Sequence, residues 1–320
     1  ADSDGGSTPT SPKQAWGDGL ASILRNSTFM REHYERRHAF MRSAMPEADL
    51  HALAGVDMRI FSRLGAATPS GTRSLYETVA DGRRVPLTGN ARGAADIDAG
   101  TAVAAVASGG VIVNRMEDGD AAVSRLVDAM FAVLGVRPHV NMYASPPATT
   151  GLRAHHDPQD VFIVQVSGGK HWRVCDPIGA GKALPTRVSE NPSHPLYHLY
   201  PDAVLNTALA AGGTRCTKYY LSPGDILYLP RGTIHAPSTA AEPSVHLTVG
   251  LDSDFTWADY VKGLRAGGHA DDTQTRELAR CLPQRDLNKL VPHELLLGID
   301  DAGTAATSAP VPKQPSRLSC

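Results

Sequence analysis

At 320 residues, with 42% hydrophobic and 20% charged residues and a formal net charge of -2, the chain is long enough to bury one sizeable core plus an appendage. The balanced charge excludes any strong attraction to nucleic acid, and no apolar run approaches a membrane span, so neither partner is expected. Cys175, Cys216, Cys281 and Cys320 are widely spaced, show no metal pair or dense disulfide framework, and fit a reducing, cytoplasmic location. The N-terminal residues lack a basic-then-apolar secretory pattern.

In chain order, residues 1–14 are rich in Ser, Gly, Pro and Thr and read as a disordered leader. Ala15 to Asn26 and Thr28 to Met45 read as helices, opening a helical N-terminal part over 15–109. Gly110 to Met116 reads as a strand, and Ala121 to Val136 as a strongly apolar helix. Strands dominate from there to Leu251, giving a catalytic core over 110–252. Residues 253–300 read as a short helical element, with Asp254 as the candidate N-cap before Trp257, Tyr260, Val261 and Leu264. Residues 301–320 read as a disordered tail. This order suits a mainly β protein with helical additions: a double-stranded β-helix, the jelly-roll cupin barrel, under a helical N-terminal cap.

Two segments carry the chemistry. His155-His156-Asp157 runs into the apolar stretch Val161-Phe162-Ile163-Val164-Gln165, and in an extended backbone residues i and i+2 share a face. His155 and Asp157 therefore converge, while His156 points away as a supporting or surface residue. The second segment, Pro223 to His235, ends a short apolar strand and a Pro-Arg-Gly turn with a lone His able to supply a third ligand. Two His and one carboxylate with open positions opposite form the facial triad of non-haem Fe(II) oxygenases, whereas a lone His-x-Asp is more often a surface turn. Asn141 and Tyr143 alternate with Val140 and Met142, and Ser244, His246 and Thr248 alternate with Val245, Leu247 and Val249. That alternation describes strands with a polar, ligand-filled interior face and an apolar outer face.

Asn141 to Trp172 and Leu221 to Val249 closely resemble the JmjC-type cupin oxygenases, and most of all the ribosomal-oxygenase-like branch. The N-x-Y strand, H-x-D, Q-x-x-G-x-K-x-W, P-G-D-x-L-Y-L-P-R-G-x-x-H and S-x-H-x-T elements occur in order. Phe29 to Arg37 resembles that family's aromatic and basic N-terminal helix. The resemblance implies metal ligands at His155, Asp157 and His235, with His235 rather than His246 as the third. It implies a 2-oxoglutarate site with Lys170 holding the far carboxylate and Asn141, Tyr143, Ser244 and Thr248 lining the pocket. Fe(II), 2-oxoglutarate as co-substrate and O2 are the implied cofactors, with succinate and CO2 as products.

The expected activity is hydroxylation of a C–H bond of an amino-acid side chain in a protein or peptide. The alternative is the same chemistry on a free amino acid or peptide natural product in a bacterial biosynthetic pathway, which the Ala-, Gly- and Arg-rich composition suits. A metal-binding cupin without turnover is the reading from another class, and Lys170 with Asn141 and Tyr143 argues against it. Ile178 to Tyr220 looks longer than that branch's usual connection, and its Tyr197, His198 and Tyr200 read as loop packing before substrate contacts. Residues 253–300 suffice for a homodimer contact and are too short for the winged-helix domain of ribosomal oxygenases.

Overall fold

The computed structural model describes residues 18–53, 76–87, 99–134, 137–178, 184–185, 187–189, 191–194 and 197–251. The expected leader over 1–14, the helical element over 253–300 with its homodimer contact, and the tail over 301–320 lie outside the described residues.

The described helices are α1 (Asp18–Arg25), α2 (Ser27–Glu32), α3 (Glu47–Leu53), α4 (Ala99–Ser108), α5 (Met116–Gly119), α6 (Ala121–Leu134) and α7 (Asp202–Ala210). The described strands are β1 (Ala39–Met41), β2 (Tyr76–Ala80), β3 (Arg83–Pro86), β4 (Val111–Val113), β5 (His139–Ser145), β6 (Asp160–Ser167), β7 (Lys170–Cys175), β8 (Cys216–Leu221), β9 (Ile226–Leu229), β10 (Ile234–Thr239) and β11 (Ser244–Leu251). They form two antiparallel sheets, an eight-stranded one in the order β1-β9-β6-β11-β5-β4-β2-β3 and a three-stranded one in the order β10-β7-β8. The architecture is mainly β, as the sequence predicts.

The strand β6 explains how the layers stack. Phe162 and Val164 point to one face, where they join Met130, Val140, Met142 and Val249 in the core under the helices. Val161 and Ile163 point to the other face, against Trp172 and Val174 of the small sheet. A strand buried on both faces reads as a continuous apolar run instead of an alternating one. Each such side chain contributes about 1.5–3 kcal/mol by leaving water. Between β6 and β7, Gly168 has φ +60° and a Cβ there would meet the Pro243 carbonyl, so the tight turn that launches Lys170 requires glycine.

The helix starts are capped by their own sequence. Asn26 Oδ1 accepts from Thr28 N and Phe29 N at 3.0 Å each, and Asp120 Oδ1 accepts from Ala122 N at 2.8 Å. The helix expected over Thr28 to Met45 stops at Glu32, however. Glu35 takes φ +51° and its side chain turns inward to Arg231, after which Ala39–Met41 pairs with β9 as β1. Tertiary partners override a good local helix pattern here. The N-terminal part expected as helical also contributes the β2–β3 hairpin. The strand expected over Gly110 to Met116 is the shorter β4, and the helix expected over Ala121 to Val136 is α6.

The cysteine reading needs correction. Cys175 and Cys216 stand opposite each other on β7 and β8 and are joined by a disulfide. Their 41-residue separation hides the pairing in the sequence, and cysteine usage no longer argues for a reducing compartment. No described helix is long and apolar enough to cross a membrane.

Candidate metal centre

His155 and His235 face each other across an antiparallel bridge. His155 N donates to His235 O at 3.0 Å and His235 N donates back to His155 O at 2.7 Å, which places their side chains on one face with ring centroids 4.3 Å apart. Asp157, two residues on, shares that face. Its Oδ1 lies 4.0 Å from His155 Nε2 and its Oδ2 lies 3.5 Å from His235 Nε2. One ligand atom from each of the three lies within 4.8 Å of the others, and among the described residues this is the group able to share an ion.

The tautomers are fixed by backbone acceptors. His155 Nδ1 donates to the Arg153 carbonyl at 2.7 Å and His235 Nδ1 to the Thr233 carbonyl at 3.0 Å. A carbonyl only accepts, so each Nδ1 carries a proton and each Nε2 is the ring atom aimed toward Asp157. Burial, and then the neighbouring His235, pushes the His155 imidazole down to about 4, so it is neutral at ordinary pH. Burial alone would raise the Asp157 carboxyl, but His155, His235 and His198 together hold it below its usual range. A carboxylate and two imidazoles in this arrangement fit a divalent transition metal.

The two sheets enclose a pocket next to the triad. Tyr143, Ile163 and Thr248 line it from the large sheet, and Lys170, Trp172 and His235 from the small one. Lys170 is 2% exposed. Its Nζ donates to Ser145 Oγ at 2.9 Å and to His246 Nδ1 at 3.3 Å, and no described carboxylate pairs with it. Burial pushes its amine down to about 7. His246 is held well below the usual imidazole range by burial and then by Lys170, so it accepts from the lysine as a neutral ring, stacked on Tyr143. A buried amine with only neutral partners is stabilised by an incoming anion. Trp172 Nε1 is also buried without a partner, a spare donor among the groups lining the same pocket.

The structure brings together most of the residues expected from sequence. His155, Asp157, His235, Lys170, Tyr143 and Thr248 line one pocket. Asn141 and Ser244 do not. Asn141 Oδ1 accepts from Arg115 N at 3.3 Å, and Ser244 is fully buried with its Oγ accepting from Gln165 Nε2 at 2.9 Å. His156 faces away as expected but is buried, not on the surface, with its Nδ1 2.8 Å from Tyr200 OH.

Three residues, Ser145, Glu77 and Arg84, have no place in the sequence reading. Ser145 shares a face with Tyr143 and takes the lysine contact, which strand parity could have found. Glu77 and Arg84, ion-paired across the β2–β3 hairpin, border a recess that reaches His155, Asp157 and Tyr143. The Asp81-Gly82 step between alternating residues was the available hairpin signal. His198, read from the sequence as loop packing before substrate contact, lines the same recess with its Nδ1 3.0 Å from the His156 carbonyl oxygen.

Residues 113–259 match the family model described as JmjC domain. That match covers under half of the chain and contains the His155-Asp157-His235 cluster, and the same stretch is similar to ribosomal oxygenases. It is 35% identical over 121 residues to ribosomal oxygenase 2 of Mus musculus, covering 37% of this chain and 22% of that protein. It is 36% identical over 122 residues to the bifunctional lysine-specific demethylase and histidyl-hydroxylase NO66 of Dictyostelium discoideum, covering 38% and 21%. The match thus spans under a quarter of the length of these curated relatives. Among solved structures, YcfD, a ribosomal oxygenase from Escherichia coli in complex with cobalt and 2-oxoglutarate, is 18% identical with a TM-score of 0.42, covering 91% of this chain and 61% of that one.

Proposed function

We propose that the chain is an Fe(II)- and 2-oxoglutarate-dependent dioxygenase that hydroxylates a C–H bond of an amino-acid side chain within a protein or peptide, releasing succinate and CO2. The observation that carries this reading is one pocket holding both the His155-Asp157-His235 cluster and a buried Lys170 with no carboxylate partner. The first fits a divalent metal and the second fits the far carboxylate of a dicarboxylic ketoacid. The names of the relatives, ribosomal oxygenases and histidyl-hydroxylases, support a protein side chain as substrate.

In this reading His155, Asp157 and His235 hold the iron, which when bound supplies the activation of dioxygen coupled to decarboxylation of the ketoacid. Everything else the chain contributes is positioning. Arg153 and Thr233 carbonyls keep both imidazole Nε2 atoms aimed inward. Lys170, charged once an anion is beside it, fixes the length of ligand that fits, and Ser145 and His246 fix the lysine. Val161, Ile163 and Trp172 exclude water from this end. The recess bordered by Glu77, Arg84 and His198 shares Tyr143, His155 and Asp157 with this pocket and would receive the substrate side chain. No side chain is assigned as a general base; the residues of this pocket bind, orient and exclude water.

The test is to incubate the protein with Fe(II), 2-oxoglutarate and a ribosomal-protein fraction in air and to search tryptic peptides by mass spectrometry for one added oxygen. A modified residue that disappears when 2-oxoglutarate is omitted supports the reading. Oxygen added only to free amino acids or small peptides would move the assignment to the biosynthetic alternative.

A further inference from the structure

Behind the proposed metal centre lies a second buried polar cluster that the reaction does not use. The Arg231 side chain is fully buried, with Nη2 2.6 Å from Glu35 Oε1 and Nε 3.7 Å from Asp160 Oδ2. Arg231 N also donates to Asp160 Oδ1 at 3.3 Å, and Tyr228 OH donates to the same oxygen at 2.8 Å. Glu35 N donates to Tyr228 OH at 2.8 Å, closing the cluster.

The placement of these residues along the chain is the informative part. Asp160 opens β6 three residues after Asp157, and Arg231 sits in the turn four residues before His235. In that turn Gly232, at φ +85°, donates its N–H to the Asp157 carbonyl at 2.9 Å, and Thr233 supplies the carbonyl that fixes the His235 tautomer. One buried guanidinium therefore grips the turn that anchors one candidate ligand and aims another, and it is itself held by a carboxylate 196 residues away. Buried ion pairs are rarely the cheapest way to stabilise a fold, since apolar residues of equal volume do so as well or better. A fixed, charge-paired contact gives position instead, and a metal centre needs its ligands held to within about 0.5 Å.

We propose that Arg231 is a positioning residue for the metal centre, setting Asp157 and His235 in register through its paired contacts with Glu35 and Asp160. The inference rests on the metal reading above. It also assigns a task to the N-terminal segment: Glu35, after α2, completes the support of a centre whose candidate ligands all lie more than a hundred residues later in the chain.

The experiment measures Co(II) affinity by calorimetry and the visible spectrum of bound Co(II), without 2-oxoglutarate, on the full chain. The variants are Arg231→Lys, Glu35→Gln and, as a control for lost stability alone, Met130→Ala in the core under α6. Arg231→Lys is expected to lose about 10–100-fold in affinity and to change the spectrum. Met130→Ala, with an equal or larger fall in melting temperature, should bind within about twofold of wild type, the margin of such titrations. Arg231→Lys binding with wild-type affinity and spectrum would overturn the proposal, and so would losses in all variants that simply track melting temperature. Should Arg231→Lys not fold, Glu35→Gln decides by the same criterion. A wild-type chain that binds no Co(II) removes the metal reading itself, and this inference with it.

Discussion

Arg231 and Lys170 are both cations buried in the same barrel, and their surroundings differ in one respect that separates structure from function. Arg231 faces two carboxylates, those of Glu35 and Asp160, and is neutralised from within the chain. Lys170 faces a hydroxyl and a neutral imidazole. Desolvation of a charge must be offset by a partner. At Arg231 the fold provides that partner, whereas at Lys170 it leaves the place for a ligand. The candidate metal cluster belongs to the second kind, because two imidazole Nε2 atoms and a carboxylate converge on one point.

That contrast is open to breaking by substitution. The largest effect belongs to the triad: Asp157→Ala or His235→Ala should reduce iron-dependent succinate formation to the metal-free blank, with far-ultraviolet circular dichroism unchanged. Next comes Arg231→Met, which strands two carboxylates in the interior and should cost about 3–5 kcal/mol in urea unfolding. Lys170→Met should do the reverse, leaving folding stability unchanged or raised while weakening 2-oxoglutarate binding about 10–100-fold, a loss of about 1.4–2.7 kcal/mol.

A finer test uses pH. Burial sets the Lys170 amine at about 7 in the ligand-free protein, so it is charged below that pH and neutral above. An anion binds the charged form. Affinity for 2-oxoglutarate should therefore be flat below about 7 and fall about tenfold per unit above it, with proton uptake seen by calorimetry in buffers of different ionisation heat. The folded-state value is depressed below the unfolded one, so this group's contribution to stability rises as pH climbs from about 7 toward 10. The smallest effect is expected at Asn141→Ala, whose side chain accepts from Arg115 N and hydrogen-bonds to Tyr143 without itself lining the pocket, and whose loss should change 2-oxoglutarate affinity less than about twofold.

Much of the site was legible because strands encode it locally. His155 and Asp157 share a face by parity, and Lys170 and Trp172 follow the same rule. Asn141 and Ser244 obey it too and still miss the pocket. Parity fixes a face but not how far along the strand the pocket extends, and β11 carries a register shift between Val245 and His246. The Glu35–Arg231 pair, 196 residues apart, left no local trace, and the Cys175–Cys216 disulfide was hidden in the same way. The β2–β3 hairpin differs, since its Asp81-Gly82 turn is a local signal in a stretch to which the sequence reading assigned no individual element.

The measurement that bears most directly on the central claim is succinate release from 2-oxoglutarate by protein loaded anaerobically with Fe(II), before and after oxygen is admitted, beside Asp157→Ala and Lys170→Ala. The account predicts oxygen-dependent succinate from the wild type and none above background from either variant. Wild-type protein that neither binds nor turns over 2-oxoglutarate, or a Lys170→Ala variant as active as wild type, would contradict it.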